Sequence, residues 1–187
     1  MNLKTEATVS VVIPCYNEEK GLASLFARLY PALDALGRVY EVVFVDDGSA
    51  DRTVAGLREQ FSKRPDVTRV VVLTRNVGQH MAIMAGFAQT RGDYIITLDA
   101  DLQNPPEEIV NIIGAMDAGA DYVGTVRKNR HDAYWRKAAS RVMNRFRERT
   151  THIRITDPGC MLRGYDREIV DAIKSCVEVS TFVPALG

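Results

Sequence analysis

Residues 97–106 read Thr-Leu-Asp-Ala-Asp-Leu-Gln-Asn-Pro-Pro, so two carboxylates, Asp99 and Asp101, stand one residue apart after an apolar run. Acids are costly at the end of a buried strand unless something positive meets them. In extended backbone, residues i and i+2 point to one side, so both carboxylates would face one point, with Gln103 beyond them. Oxygen donors of this kind suit Mg²⁺ or Mn²⁺. Such a metal would hold a diphosphate and neutralise its charge. Helix capping is the competing use of these acids. Asn104 offers an N-cap of its own just before Pro105, so metal binding is the better account.

Two further polar clusters follow apolar runs. One is Pro14-Cys15-Tyr16-Asn17-Glu18 and the other is Asp46-Asp47-Gly48-Ser49. Turn chemistry and helix capping account for Gly48, Ser49 and Asp51. Asp46 and Asp47 ask for more, and hydrogen bonds to a nucleotide base or ribose would supply it. A strand ending in Asp-Asp also occurs in phosphoreceiver domains. Those need an acceptor Asp after the third strand, and "VTRVVVLTRN" supplies none. Gly78 is read equally well as a turn glycine with positive φ or as a direct phosphate contact. His80, with no second His nearby in sequence, is read as structural.

The elements that must position these clusters are legible. "VSVVIP" (9–14), "EVVFVD" (41–46), "VTRVVVL" (67–73), "DYIITLD" (93–99) and "DYVGTV" (121–126) are short, β-branched and largely unalternated. Strands covered on both faces have that character. Helical spacing lies between them, at Leu22, Leu25, Phe26, Leu29, Leu33 and Leu36, at Val54, Leu57 and Phe61, and at Ile109, Ile112, Ile113 and Met116. The segment 105–118 opens on Pro-Pro-Glu-Glu, a composition favoured in a first helical turn. Repeated β-α-β order predicts an α/β fold with a mostly parallel sheet. In such sheets ligands bind beyond the carboxyl ends of the strands, where all three polar clusters fall.

The chain has 187 residues and zero formal net charge, enough for one domain with a sizeable core. Cys15, Cys160 and Cys176 are odd in number and have no CxxC spacing, which argues against a disulfide framework or a zinc site. They read as small buried hydrophobes in a reducing compartment. No apolar run is long enough to span a bilayer, and the N-terminus has no secretory signal. The chain stops in the apolar phrase "STFVPALG", which suggests truncation.

Charge is concentrated. Residues 127–154 hold ten Lys and Arg against two acids, Asp132 and Glu148, so this stretch is formally +8. Lys137, Arg141, Arg145 and Arg149 are spaced by four and would line one helix face, with Trp135, Val142 and Phe146 on another. Like charges at i, i+4 are mildly destabilising, so the row asks for an anionic partner. Phosphate groups and an anionic membrane surface are the candidates. No stacking aromatics are interleaved in the manner of a nucleic-acid platform, so nucleic acid is not expected.

Taken in order, "VVIPCYNEE", "VDDGSADRT", "TRNVGQHMAIMAGF", "LDADLQNPPEEI", "VGTVRKNR" and "WRKAASRVMNR" resemble the family 2 glycosyltransferases, over nearly the whole chain. Within them they are most similar to the polyprenyl-phosphate branch. There, "GQHMAIMAGF" and "GCMLRGYDREIVDAI" look most like the undecaprenyl-phosphate 4-deoxy-4-formamido-L-arabinose transferases. The resemblance implies a GT-A, Rossmann-like fold in a single domain over 1–187. It implies nucleotide-sugar binding by Pro14, Tyr16, Glu18, Asp46, Asp99, Ala100 and Asp101. It assigns metal binding to Asp99, Asp101 and Gln103, and the acceptor phosphate to Arg127, Arg136 and Ser140. Asp101 and Arg127 are implied as catalytic, and Asp157 falls where many members carry a catalytic Asp. Asp157 is read equally well as a turn residue before Pro-Gly. The expected reaction moves a sugar, with inversion, from a UDP-sugar to undecaprenyl phosphate, with Mg²⁺ or Mn²⁺. The implied setting is the cytoplasmic face of the bacterial inner membrane, in cell-envelope glycan or lipid A modification. Transfer to a saccharide hydroxyl, with Asp157 as base, is the alternative. The sequence leaves the sugar open, and with it the oligomeric state, homo-oligomer included.

Overall fold

The computed structural model describes residues 7–125 and 161–175. Within them the chain forms β1 (Val9–Cys15), α1 (Leu22–Asp34), β2 (Tyr40–Asp46), α2 (Thr53–Lys63), β3 (Thr68–Val72) and α3 (Gln79–Phe87). It continues through β4 (Tyr94–Thr97), a 3₁₀ turn (Pro106–Glu108), α4 (Ile109–Asp117), β5 (Tyr122–Gly124), β6 (Arg163–Asp166) and α5 (Arg167–Ser175). All five predicted strands are present. The sixth, β6, went unread because Arg-Gly-Tyr-Asp is short and half polar.

The six strands form one sheet in the order β3-β2-β1-β4-β6-β5. β1, β2, β3 and β4 are parallel, and β6 runs antiparallel to both β4 and β5. β1 and β2 are buried almost throughout because helices cover both faces, which is why their sequences do not alternate. Val11, Ile13, Phe44 and Ile96 face α1 and α4 in one core, with Leu25, Leu29, Ile112 and Met116. Val12, Val43, Val45 and Ile95 face α3 and α5 in the other, with Ile83, Phe87, Val170 and Ile173. Tyr165 on β6 meets Phe87 edge-on, with ring centroids 5.6 Å apart.

The predicted helix over 105–118 begins as the 3₁₀ turn and becomes α-helical only at Ile109. Asn104 caps neither segment; its side chain is buried and turned toward Asp99, 3.4 Å away. The helix gains its first-turn acids instead, and Glu107 makes a two-pronged ion pair with Arg28 of α1 at 3.0 and 2.8 Å.

β5 and β6 pair Gly124 with Arg163, and just beyond them the Thr125 hydroxyl donates to the Leu162 carbonyl at 2.7 Å. Among the described residues no helix is long and apolar enough to cross a membrane. The basic segment 127–154, with Arg127, Arg136 and Ser140, lies outside the described residues, as do Asp157, Cys160 and Cys176.

Candidate active site

The carboxyl ends of β1, β2 and β4 enclose a cleft of about 260 Å³. Its lining includes Pro14, Cys15, Tyr16 and Glu18 after β1, Asp47 after β2, and Asp99, Ala100 and Asp101 after β4. Asn76, Gly78 and Gln79, from the approach to α3, complete it. The three sequence clusters therefore converge, as the parallel topology requires.

The end of β1 and the turn after β2 are laced together. The Asp47 N–H donates to the Cys15 carbonyl at 2.8 Å. Asn17 adopts φ 56°, a left-handed conformation that Asn tolerates. Its N–H donates to the Ser49 hydroxyl, and its side-chain oxygen accepts from the Ala50 N–H, both at 2.9 Å. Asp51 accepts the Thr53 N–H at 2.9 Å and the Thr53 hydroxyl at 2.6 Å, at the start of α2. Ser49 and Asp51 thus do the turn and capping work expected of them.

Asp46 and Asp47 diverge. Asp46 is buried; one carboxylate oxygen accepts the Ser49 N–H at 3.0 Å, and the other has no partner among the described residues. A buried carboxylate oxygen left without a donor is costly, but Asp46 is not among the residues that line the cleft. Asp47, expected like Asp46 to bind a nucleotide base or ribose, lines the cleft, and its two carboxylate oxygens accept the N–H groups of Val77 (2.7 Å) and Gly78 (2.9 Å). Gly78 has φ 92°, a conformation that favours glycine at the entry to α3, and it also lines the cleft. His80 is half-buried in the first turn of α3, and burial holds its imidazole below the ordinary histidine value.

Asp99 and Asp101 both reach the cleft, but not by strand pleating. β4 ends at Thr97, and residues 100–104 turn, with Leu102 at φ 60°. The side-by-side geometry expected from extended backbone is therefore replaced by a turn. Asp99 accepts the Gln79 side-chain amide at 2.8 Å. Asp101 is exposed and accepts the Gln103 N–H at 3.0 Å. Gln103 does not contribute to the cleft lining.

Glu18 is held above the usual glutamate range, first by burial and then by the charges of Asp101 and Asp51. Burial, with Glu18 and Asp46 nearby, likewise pushes the Cys15 thiol up, so Cys15 is an inert part of the wall. Among the described residues no three His, Cys, Asp or Glu side chains form a ready-made metal cage. The donor set is nonetheless all oxygen, with two carboxylates at the mouth and excess negative charge. That fits a hard divalent ion completed by water and phosphate oxygens rather than by protein alone.

Residues 10–174 match the family described as Glycosyl transferase family 2. The chain is 50% identical, over its whole length, to an undecaprenyl-phosphate 4-deoxy-4-formamido-L-arabinose transferase of Edwardsiella ictaluri, and spans 57% of that relative. A glucosyl-3-phosphoglycerate synthase of Mycobacterium tuberculosis, solved with UDP, superposes with a TM-score of 0.70 at 24% identity, over 91% of this chain and 60% of that one. A mannosyltransferase of Pyrobaculum calidifontis, solved with GDP-mannose and Mn²⁺, superposes with a TM-score of 0.67 at 20% identity, over 99% of this chain and 51% of that one. The receiver alternative falls with these matches and with the antiparallel β6 inside the sheet. The chain belongs to glycosyl transferase family 2 and has its GT-A fold.

Proposed function

We propose that this chain is the catalytic domain of an inverting transferase that moves a sugar from a UDP-sugar to a polyprenyl phosphate, undecaprenyl phosphate in particular. The observation that carries the reading is the cleft itself, where Asp47 after β2 and the Asp99–Asp101 pair after β4 stand on opposite sides of the β1 terminus, with the buried, partly orphaned Asp46 carboxylate next to Asp47 in the chain. A nucleoside diphosphate has the complementary chemistry: a base with N–H donors at one end and an anion needing a cation at the other. The likeness to the Edwardsiella transferase supports the polyprenyl-phosphate acceptor.

In this reading Pro14, Tyr16, Glu18 and Asp46 hold the nucleoside. Asp99 and Asp101, flanking Ala100, hold a divalent ion, with Gln103 nearby; when bound, Mg²⁺ or Mn²⁺ would offset the charge of the diphosphate as it departs. Arg127, Arg136 and Ser140 bind the acceptor phosphate. That phosphate is an anion at neutral pH, so a base such as Asp157 is less necessary than for a hydroxyl acceptor, and catalysis rests chiefly on positioning and electrostatics. Residues 127–154 would draw the domain to an anionic membrane surface, at the cytoplasmic face.

The test is calorimetric titration with UDP and with GDP, each with Mn²⁺ and again with EDTA. Metal-dependent UDP binding, lost in Asp101→Asn, is expected. A preference for GDP would move the donor to a guanosine sugar, and binding of neither nucleotide would overturn the donor site.

A further inference from the structure

The donor-site reading leaves Asp47 and Gln79 without a role, yet they are joined through one short stretch of backbone. The turn after β2 and the segment before α3 are in direct contact. Gly48 has φ 70°, and a Cβ built on it would overlap the Arg75 carbonyl carbon and stand 2.5 Å from the Asn76 nitrogen. Next to that contact the Asp47 carboxylate takes the N–H groups of residues 77 and 78, one on each oxygen. Gly78 then turns the chain into α3, whose first residue is Gln79. Gln79 is exposed on its helix but donates its amide to Asp99 at 2.8 Å.

In the sheet, β1 lies between β2 and β4. The segment 77–79 therefore runs from the tip of β2, past the end of β1, to the tip of β4. It joins the two walls of the cleft.

We infer that Asp47 and Gln79 are positioning residues that fix the Asp99 carboxylate for its cation, Asp47 by clamping the 77–78 backbone and Gln79 by hydrogen-bonding Asp99 directly. The inference rests on the donor-site reading above. The physical need is specific. Asp99 follows the last sheet hydrogen bond, from the Leu98 N–H to the Val12 carbonyl, and precedes the turn, so β4 pairing no longer fixes its direction. Amide donors, Gln79 on one Asp99 oxygen at 2.8 Å and Asn104 on the other at 3.4 Å, orient the carboxylate without adding a competing charge. Partners of this kind behind a metal ligand typically change metal affinity by about 10–100-fold when removed. Asp47→Asn would face a backbone N–H with an amide NH₂ and so loosen the clamp.

The test titrates Mn²⁺ into the protein saturated with UDP, following the free-ion EPR signal, for wild type, Gln79→Ala, Asp47→Asn and the double variant. UDP affinity and melting temperature in EDTA are measured alongside. Gln79→Ala is expected to weaken Mn²⁺ binding about tenfold, by more than any change in UDP affinity measured in EDTA, with the EDTA melting temperature unchanged. Asp47→Asn should weaken it in the same direction. The double variant should bind Mn²⁺ no more weakly than the poorer single, because both act on one link. Wild-type Mn²⁺ affinity in Gln79→Ala, or losses that multiply in the double variant, would overturn the inference while leaving the donor site intact. Should Asp47→Asn fail to fold, Gln79→Ala decides alone. Absence of Mn²⁺ binding by the wild-type protein would instead fell the donor-site reading, and this inference with it.

Discussion

Glu18 and Asp101 place like charge on each other at the cleft. Burial is the larger reason that Glu18 is held above its ordinary value, and the Asp101 carboxylate is the next. A carboxyl raised on folding stabilises the fold fully below the unfolded glutamate value, and that contribution is lost as pH rises through the raised one. At neutral pH the ionised Glu18 therefore works against folding. Glu18→Gln should melt higher than wild type at pH 7 in EDTA, with the gap closing as the pH falls below the usual glutamate range. Asp101→Asn should show a smaller gain, because it relieves only the secondary cause. A lower melting temperature for Glu18→Gln at pH 7 would contradict the arrangement. Sites that store such repulsion commonly trade stability for binding.

Gly48→Ala tests the contact beneath the 75–79 segment. The substitution puts a side chain at φ 70° and into the Arg75 backbone, with no flexible neighbour to give way. Strained conformations of this kind cost on the order of 1–3 kcal/mol before any overlap is counted. Urea denaturation should show at least that loss. Mn²⁺ binding should weaken further than stability alone would explain, because the displaced segment carries Gln79.

Ser10→Ala makes a useful contrast at the opposite end of β1. The buried Ser10 hydroxyl donates to Glu41 at 2.7 Å and accepts the Gly92 N–H at 2.8 Å. Leaving such groups unpaired costs about 1–3 kcal/mol. Denaturation should register that loss, while nucleotide affinity measured well below the transition should equal that of wild type. A change in affinity would mean that the two ends of the sheet are coupled.

Phe87→Ala asks how α3 is held at its far end. Phe87 is fully buried and meets Tyr165 edge-on, tying the helix to β6. Truncations of this size cost about 3–5 kcal/mol. A calorimetric unfolding scan should show that loss, and Phe87→Leu a smaller one.

Most of the framework was legible because buried parallel strands leave an unmistakable run of β-branched residues, as in Val42–Val45. The convergence of acids was legible too, since parallel topology sends every strand terminus to one edge. Local geometry was not. Asp99 and Asp101 were read as neighbours on a pleat, but β4 stops two residues before Asp99, where the sheet no longer dictates direction. Asn104 looked like a cap because it precedes Pro-Pro, and is instead drawn inward to Asp99. The hold of Asp47 on the backbone of residues 77 and 78 was not legible, because that contact crosses 30 positions of sequence. Gln79 stood inside the motif "GQHMAIMAGF" but gave no sign of its partner: a glutamine opening a helix is ordinary, and its use depends on what stands opposite. β6 was hidden by its brevity.

The pairing of Gly124 with Arg163, sealed by the bond from Thr125 to Leu162, has an architectural consequence. β5 and β6 are antiparallel, so the chain leaves the sheet and re-enters it at neighbouring points on the same edge as the cleft. Both points are therefore anchored by the sheet itself, on the edge that carries the cleft.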